Sequence, residues 1–308
     1  MPAWTAADIP DQTGRVAVIT GANSGIGYEM ARALACKGAH VVMAARSVER
    51  NAAARDRIRA EIPGARLTLM LLDLASQDSV RAFAADFLAR FDRLDQLYNN
   101  AGLMATPYGK TIDGFEMQFG VNHLGHFALT GLLLDRLTAT PAARVITTTS
   151  QAAFFGCMNF EDLQCEGGYT RYGAYCQSKL ANVLFAFELQ RRLAAASSDT
   201  ISVTAQPGLA ETNLQNATAS ASGSKIERAT YNAMHALLSQ RAEMGALPQL
   251  YAGTAPGVHG GEFYTPGAFH LRGYPRRARV IGRAYNEPDA ARLWDISQDL
   301  TGIEYLSS

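Results

Sequence analysis

The run Thr20-Gly21-Ala22-Asn23-Ser24-Gly25-Ile26-Gly27 joins an apolar, β-rich stretch, Arg15 to Thr20, to a segment of helical period, Gly25 to Lys37, that stops at Gly38. Glycines in such a joint let the backbone approach a pyrophosphate, and the free amides of the helix start attract its charge. The spacing is Gly-x-x-x-Gly-x-Gly, which departs from the dinucleotide fingerprint Gly-x-Gly-x-x-Gly. Glycines that only permit tight strand-to-helix packing are the alternative.

Outward from this joint, short apolar runs alternate with helical segments, the pattern of βαβ units around a parallel sheet. Strands are expected at His40 to Ala45, Leu67 to Leu72, Asp95 to Tyr98, Arg144 to Thr149, Ile201 to Gln206 and Glu262 to Tyr264. With Arg15 to Thr20 they make a parallel seven-stranded sheet. Helices are expected from Ser47 to Pro63, Ser76 to Phe91, Phe115 to Leu137 and Tyr172 to Ala196. No break in composition divides residues 1–308, so one α/β, doubly wound domain is expected. Two stretches stand outside the alternation: an insertion at Gln151 to Arg171, and a candidate lid at Leu209 to Leu250 containing the low-complexity run Ala217 to Ser224. Both follow C-terminal strand ends, where open α/β sheets bind ligands.

The 308 residues are enough for a sizeable core, and 28 basic against 28 acidic side chains leave no field to draw a nucleic acid or an anionic lipid surface. Cys36, Cys157, Cys165 and Cys176 show no metal or redox spacing, so they are expected as reduced packing residues in a cytoplasmic protein. Met1 to Gln12 lacks the basic and apolar regions of a signal peptide. Met117 to Leu134 is uncharged, but Gln118, Asn122, His123, His126 and Thr130 make it a buried helix and not a membrane anchor.

The chemistry concentrates in Tyr175-Cys176-Gln177-Ser178-Lys179. Residues four apart share a helix face, and Lys179 is one of four lysines in the chain. An ammonium beside a phenol in a poorly solvated cleft favours the phenolate, so Tyr175 could exchange a proton with a carbonyl or alcohol oxygen. At the end of the second strand, where an NAD site usually offers a carboxylate to the ribose, stands Ala45 followed by Arg46. A guanidinium there suits the 2′-phosphate of NADP, and a solvated loop arginine is the alternative.

In order, Thr20 to Gly27, Asp73-Leu74, Asn99-Asn100-Ala101-Gly102, Asn122, Ser150, Tyr175 with Lys179, and Pro207-Gly208 with Thr212 resemble the motif set of the short-chain dehydrogenase/reductase family, over about residues 14–265. Val121 to Phe127 and Ser178 to Asn182 look most like its retinol-dehydrogenase-like branch. The resemblance implies a Rossmann-type fold and a catalytic set of Asn122, Ser150, Tyr175 and Lys179. Tyr175 would be the general acid in reduction, Lys179 would lower its pKa and hold the nicotinamide ribose, Ser150 would bond the reacting oxygen, and Asn122 would order a water relay. For the cofactor, NADP(H) over NAD(H), the resemblance implies Gly21, Asn23, Ser24, Gly25, Ile26 and Gly27 at the phosphates. It places Asp73 and Leu74 at the adenine, Asn100, Ala101 and Gly102 on the adenosine side and Thr212 at the carboxamide, with Pro207 and Gly208 also in the cofactor site.

Ser150 and Tyr175 are 25 positions apart, about twice the usual family spacing, so Thr149 is the fallback for Ser150, and a hydroxyl that only caps a turn is the alternative. His123 and His126 share a helix face but lack companion ligands, and packing or hydrogen bonding is expected of them without a metal. Phe154, Phe155, Met158 and Phe160 could line a substrate wall or anchor the insertion. Trp4 and Trp294 are expected to tack terminal segments onto the fold. Together these readings describe an oxidoreductase interconverting a carbonyl and an alcohol on a fairly apolar small molecule, as a monomer or homodimer. A protochlorophyllide-reductase-like double-bond reductase and a non-catalytic cofactor sensor are the rival readings.

Overall fold

The computed structural model describes residues 3–210, 239–280 and 282–306. Its core is one eight-stranded sheet. The chain forms β1 (Val16–Thr20), α1 (Gly25–Cys36), β2 (His40–Ala45), α2 (Val48–Glu61), β3 (Arg66–Leu71), α3 (Gln77–Arg90) and β4 (Gln96–Asn99). After β4 come α4 (Met117–Phe119), a π-helical turn (Gly120–Leu124), α5 (Gly125–Leu132), α6 (Leu134–Thr138) and β5 (Arg144–Thr148). The remainder is α7 (Arg171–Ala195), β6 (Ile201–Ala205), α8 (Ala242–Thr254), β7 (Phe263–Ala268), β8 (Arg272–Ala278) and α9 (Glu287–Thr301). The strand order is β3-β2-β1-β4-β5-β6-β7-β8. The first three strands run outward from the centre and the chain then returns to place β4 on the other side of β1. The β1/β4 crevice is therefore the topological switch point, where α/β sheets hold ligands.

Side-chain alternation along the strands explains both covered faces. On β1, Ala17 and Ile19 pack with α1, α2 and α8, whereas Val16 and Val18 pack with α3, α5, α6 and α7. The α9 helix lies over the second layer. Its Trp294, 1% exposed, meets Phe127 at 5.1 Å and Phe185 at 5.9 Å, and takes the Arg192 guanidinium 4.6 Å over its ring. Trp4 packs edge-on against Tyr251 of α8. Both tryptophans hold segments near the chain ends, as expected.

Two expectations need correction. The sheet has eight strands and not seven, because Arg272–Ala278 pairs antiparallel with β7. Gly273, Pro275 and three arginines make this stretch read as a loop, yet proline and charge are the residues an edge strand tolerates. The single helix expected from Phe115 to Leu137 is divided. Its start moves to Met117, because the Glu116 carboxylate caps the amides of Gln118 and Phe119, and Leu133 leaves helical geometry at φ −97° and ψ 0°. The stretch Leu209 to Leu250, expected as a lid, takes in the start of α8 at Ala242, which buries Ala246, Leu247 and Leu250 in the core. Residues 211–238, with Thr212 and the run Ala217 to Ser224, lie outside the described residues.

Candidate active site

A cleft of about 440 Å³ opens at the C-terminal ends of β1, β4 and β5. Its lining includes Gly21, Asn23, Ser24, Gly25, Ile26 and Gly27 from the first joint, Ala45 and Arg46 after β2, and Asp73 and Leu74 after β3. Asn100, Ala101 and Gly102 after β4, Ser150 after β5, Tyr175 and Lys179 on α7, and Pro207 and Gly208 after β6 complete it. Residues up to 187 positions apart thus meet because every contributing loop leaves the sheet at the same edge.

The joint is shaped for close approach. A side chain at Gly27 would put a Cβ 2.3 Å from the Gly21 carbonyl oxygen and 2.8 Å from Asn100 Nδ2. Gly21 itself has φ +70°, a conformation other residues adopt only under strain. Ser24 precedes α1 without a side-chain capping bond, so the first-turn amides are left to a ligand in the cleft. The cradle could hold a pyrophosphate, and the close Gly21–Gly27 approach also serves tight strand-to-helix packing.

At the α7 end of the cleft, Lys179 is 5% exposed and burial pushes its ammonium down to about 8. Its Nζ lies 3.4 Å from the Thr148 carbonyl oxygen and 5.8 Å from the centre of the Tyr175 ring. Tyr175 is 9% exposed, one helical turn earlier on the same face. Ser150 N-caps a short 3-10 turn, Gln151–Phe155: its Oγ accepts from the Ala152 amide, which leaves its hydroxyl proton for another acceptor. Thr149, the fallback, turns its hydroxyl to the Lys179 main-chain carbonyl at 2.8 Å and so ties β5 to α7. Asn122 sits in the π turn and is fully buried. Its Oδ1 accepts from Leu103 N at 2.7 Å, and its Nδ2 donates to Leu103 O and Ser178 Oγ, both at 2.9 Å. That amide spends its donors on protein atoms, so a positional task accompanies the relay implied by resemblance.

Arg46 is exposed at the rim, and Arg50, one turn along α2, lines the same end of the cleft. Arg50 also faces Glu49, whose carboxyl its charge helps to hold low. Arg50 was missed in the sequence; its signal is a second arginine four positions after Arg46, which α2 brings to the same rim.

The insertion is held down along its length. Asn159 N donates to Gln177 Oε1 at 3.0 Å, Tyr169 Oη donates to the Thr106 carbonyl at 2.8 Å, and Lys110 pairs with Glu166 at 2.6 Å. Phe154, Met158 and Phe160 pack on the hydrophobic cluster around α7, the anchoring role, whereas Phe155 stays 80% exposed. Sequence reading also missed the β7–β8 turn. Gln151 Nε2 donates to the Phe269 carbonyl at 3.1 Å and Leu209 N to the Leu271 carbonyl at 2.8 Å, so this turn stands between the Ser150 and Gly208 segments. His123 and His126 each hydrogen-bond a hydroxyl, Ser297 Oγ at 2.8 Å and Thr20 Oγ1 at 2.9 Å.

A family model described as short chain dehydrogenase matches residues 15–223. The chain belongs to the short-chain dehydrogenase family. It is 41% identical to retinol dehydrogenase 12 of Homo sapiens over 294 residues, covering 95% of this chain and 88% of that protein. It is 38% identical to retinol dehydrogenase 14 of Mus musculus, covering 94% and 86%. A crystal structure of a protein from Mycobacterium Paratuberculosis superposes with a TM-score of 0.81 at 41% identity, over 98% of this chain and 99% of that one. The NADP complex of RhlG from Pseudomonas aeruginosa gives 0.65 at 26% identity, over 84% and 97%. This short-chain dehydrogenase falls in the retinol-dehydrogenase-like branch and is an NAD(P)-dependent oxidoreductase acting on CH–OH groups. Among its described residues, no helix is long and apolar enough to cross a membrane.

Proposed function

We propose that this protein is an NADP-preferring oxidoreductase that interconverts an aldehyde or ketone with its alcohol on a fairly apolar small molecule. The observation that carries the reading is the pairing of Tyr175 with the buried Lys179 on one face of α7, at the cleft floor beside Ser150. The nicotinamide of a bound dinucleotide supplies the hydride. The protein handles the proton: in reduction the Tyr175 hydroxyl gives it to the carbonyl oxygen, and in oxidation the phenolate takes it back. Ser150 directs its remaining hydroxyl proton at the same oxygen, where negative charge develops. Lys179, titrating near 8, is largely protonated at neutral pH and favours the phenolate.

Three observations support the finer points. Ala45 puts no carboxylate at the end of β2 to repel a 2′-phosphate, and Arg46 with Arg50 offers two guanidiniums at that rim. Phe155 and Phe269 are exposed on the segments after β5 and β7, and similarity to retinol dehydrogenases supports an apolar alcohol or aldehyde. The α9 helix and the insertion cover α7 on the side away from the sheet, which favours a monomer. The decisive experiment is NADPH oxidation measured against a panel of aldehydes, ketones and quinones of graded chain length. Turnover of long-chain aldehydes supports the proposal; turnover confined to activated double bonds or quinones, or a higher kcat/KM with NADH, overturns it.

A further inference from the structure

We propose that His126 is a positioning residue of the cofactor site: it joins Thr20 to the main chain of Asn122 and so sets the path of residues 100–103 along the cleft wall. Its imidazole is 1% exposed on α5, with Nδ1 3.0 Å from the Asn122 carbonyl oxygen and Nε2 2.9 Å from Thr20 Oγ1. A carbonyl only accepts, so Nδ1 carries the hydrogen. Burial pushes the ring down to about 4, which leaves it neutral at working pH and Nε2 bare. Thr20 must then be the donor in the second bond.

That assignment fixes every valence of Thr20. Its one hydroxyl proton has two acceptors in reach, His126 Nε2 at 2.9 Å and the Tyr98 carbonyl at 3.2 Å, and the shorter bond goes to the imidazole. Its two lone pairs then receive the amides of Asn100 and Ala101, both at 2.9 Å. The far end of the segment is held by Asn122, through both backbone groups of Leu103. Between the two anchors stands Gly102, so close to the catalytic end that a Cβ on it would lie 3.3 Å from Lys179 Nζ. One imidazole therefore braces both anchors of the stretch that faces Lys179. A space-filling core histidine would need neither the tautomer nor the two partners.

The inference rests on the dinucleotide reading of the cleft and on no choice between NADP and NAD. The test is fluorescence titration of the whole protein with NADPH and with NADH. The wild-type titration reports on the cleft, and the variant-to-wild-type ratio, taken with the tighter cofactor, reports on His126. His126→Phe keeps the ring without its nitrogens, His126→Asn keeps only a donor near Nδ1, and His126→Gln keeps an acceptor near Nε2. His126→Phe and His126→Asn should raise Kd about 10-fold, and His126→Gln should restore it to within about 3-fold of wild type. Thr20→Val should weaken binding at least as much, because it also removes the acceptor of the Asn100 and Ala101 amides, and His126→Phe should add little in the Thr20→Val background, where its partner is already gone. Should His126→Phe not fold, Thr20→Ser against Thr20→Val carries the same comparison, with only the valine weakening binding. Wild-type Kd in His126→Phe with only a lowered Tm, or additive losses from Thr20 and His126, overturns the proposal.

Discussion

Lys179 stands one helical turn beyond Tyr175, with its ammonium nitrogen 5.8 Å from the centre of the tyrosine ring and 3.4 Å from the carbonyl that ends β5. The lysine is thus tied to the sheet while its charge faces the phenol. Tyr175→Phe should keep the helix and the cofactor contacts but lose the proton, lowering turnover about 100-fold or more with cofactor affinity within a few-fold of wild type. Single-turnover rates and dinucleotide titration check this together; retention of a tenth of the turnover would remove Tyr175 from the mechanism.

The glycine joint offers a sterically simple test. Gly27→Ala would place a Cβ 2.3 Å from the Gly21 carbonyl, so the joint must open and the phosphate cradle with it. Cofactor affinity should fall at least about 10-fold, with a loss of roughly 1–3 kcal/mol in stability from overpacking. Gly64→Ala, where a Cβ meets nothing within 4 Å, serves as control.

Cofactor preference should follow the two rim arginines. Each charge-assisted bond to a 2′-phosphate contributes about 1.5 to 3 kcal/mol, or roughly 10- to 150-fold in affinity. Arg46→Ala and Arg50→Ala should therefore each weaken NADPH by at least 10-fold and NADH by less than about 3-fold. Equal losses for both cofactors would make the arginines ordinary solvated residues.

Acid stability should report the two buried imidazoles. His123 and His126 are held near 3 and 4 by burial, against about 6.5 unfolded. As pH falls from 6.5 toward 4 the unfolded chain takes up these protons and the native state does not, so stability drops across that window. His123→Leu removes one of the two groups, and Ser297 keeps its bond to the Leu293 carbonyl. The variant's urea midpoint should fall less steeply between pH 7 and pH 4.5 than the wild type's; parallel slopes would refute the assignment.

The C-terminal helix should be structural. Trp294→Ala removes an indole wedged among Phe127, Phe185 and Tyr305, which typically costs about 3–5 kcal/mol. Light scattering should show the intact protein as a monomer. Truncation before Glu287 would bare the apolar faces of α5 and α7 and should produce self-association. A wild-type dimer of equal stability would contradict the monomer reading.

Much of the molecule is legible in its residues taken singly. Strand periods, the glycines of the first joint and the four-residue step from Tyr175 to Lys179 are local properties, set by backbone sterics and helix geometry, and they survive into the structure with small shifts at element ends. Other features depend on neighbours remote in the chain. β8 exists because β7 offers an edge to a stretch too rich in glycine, proline and arginine to announce itself. Ser150 and Thr149 are both hydroxyls after β5; only the packing of α7 turns Thr149 to the Lys179 carbonyl and leaves Ser150 facing the cleft. Arg50 reaches the rim because α2 starts there, and the Phe269 carbonyl meets Gln151 because a hairpin doubles back beside it. His126 reads as one more histidine on a helix until the fold sets Thr20 at one nitrogen and the Asn122 carbonyl at the other. Local sterics act within a few residues, whereas a side chain's proton and partner are settled only when burial removes the water that would otherwise satisfy it.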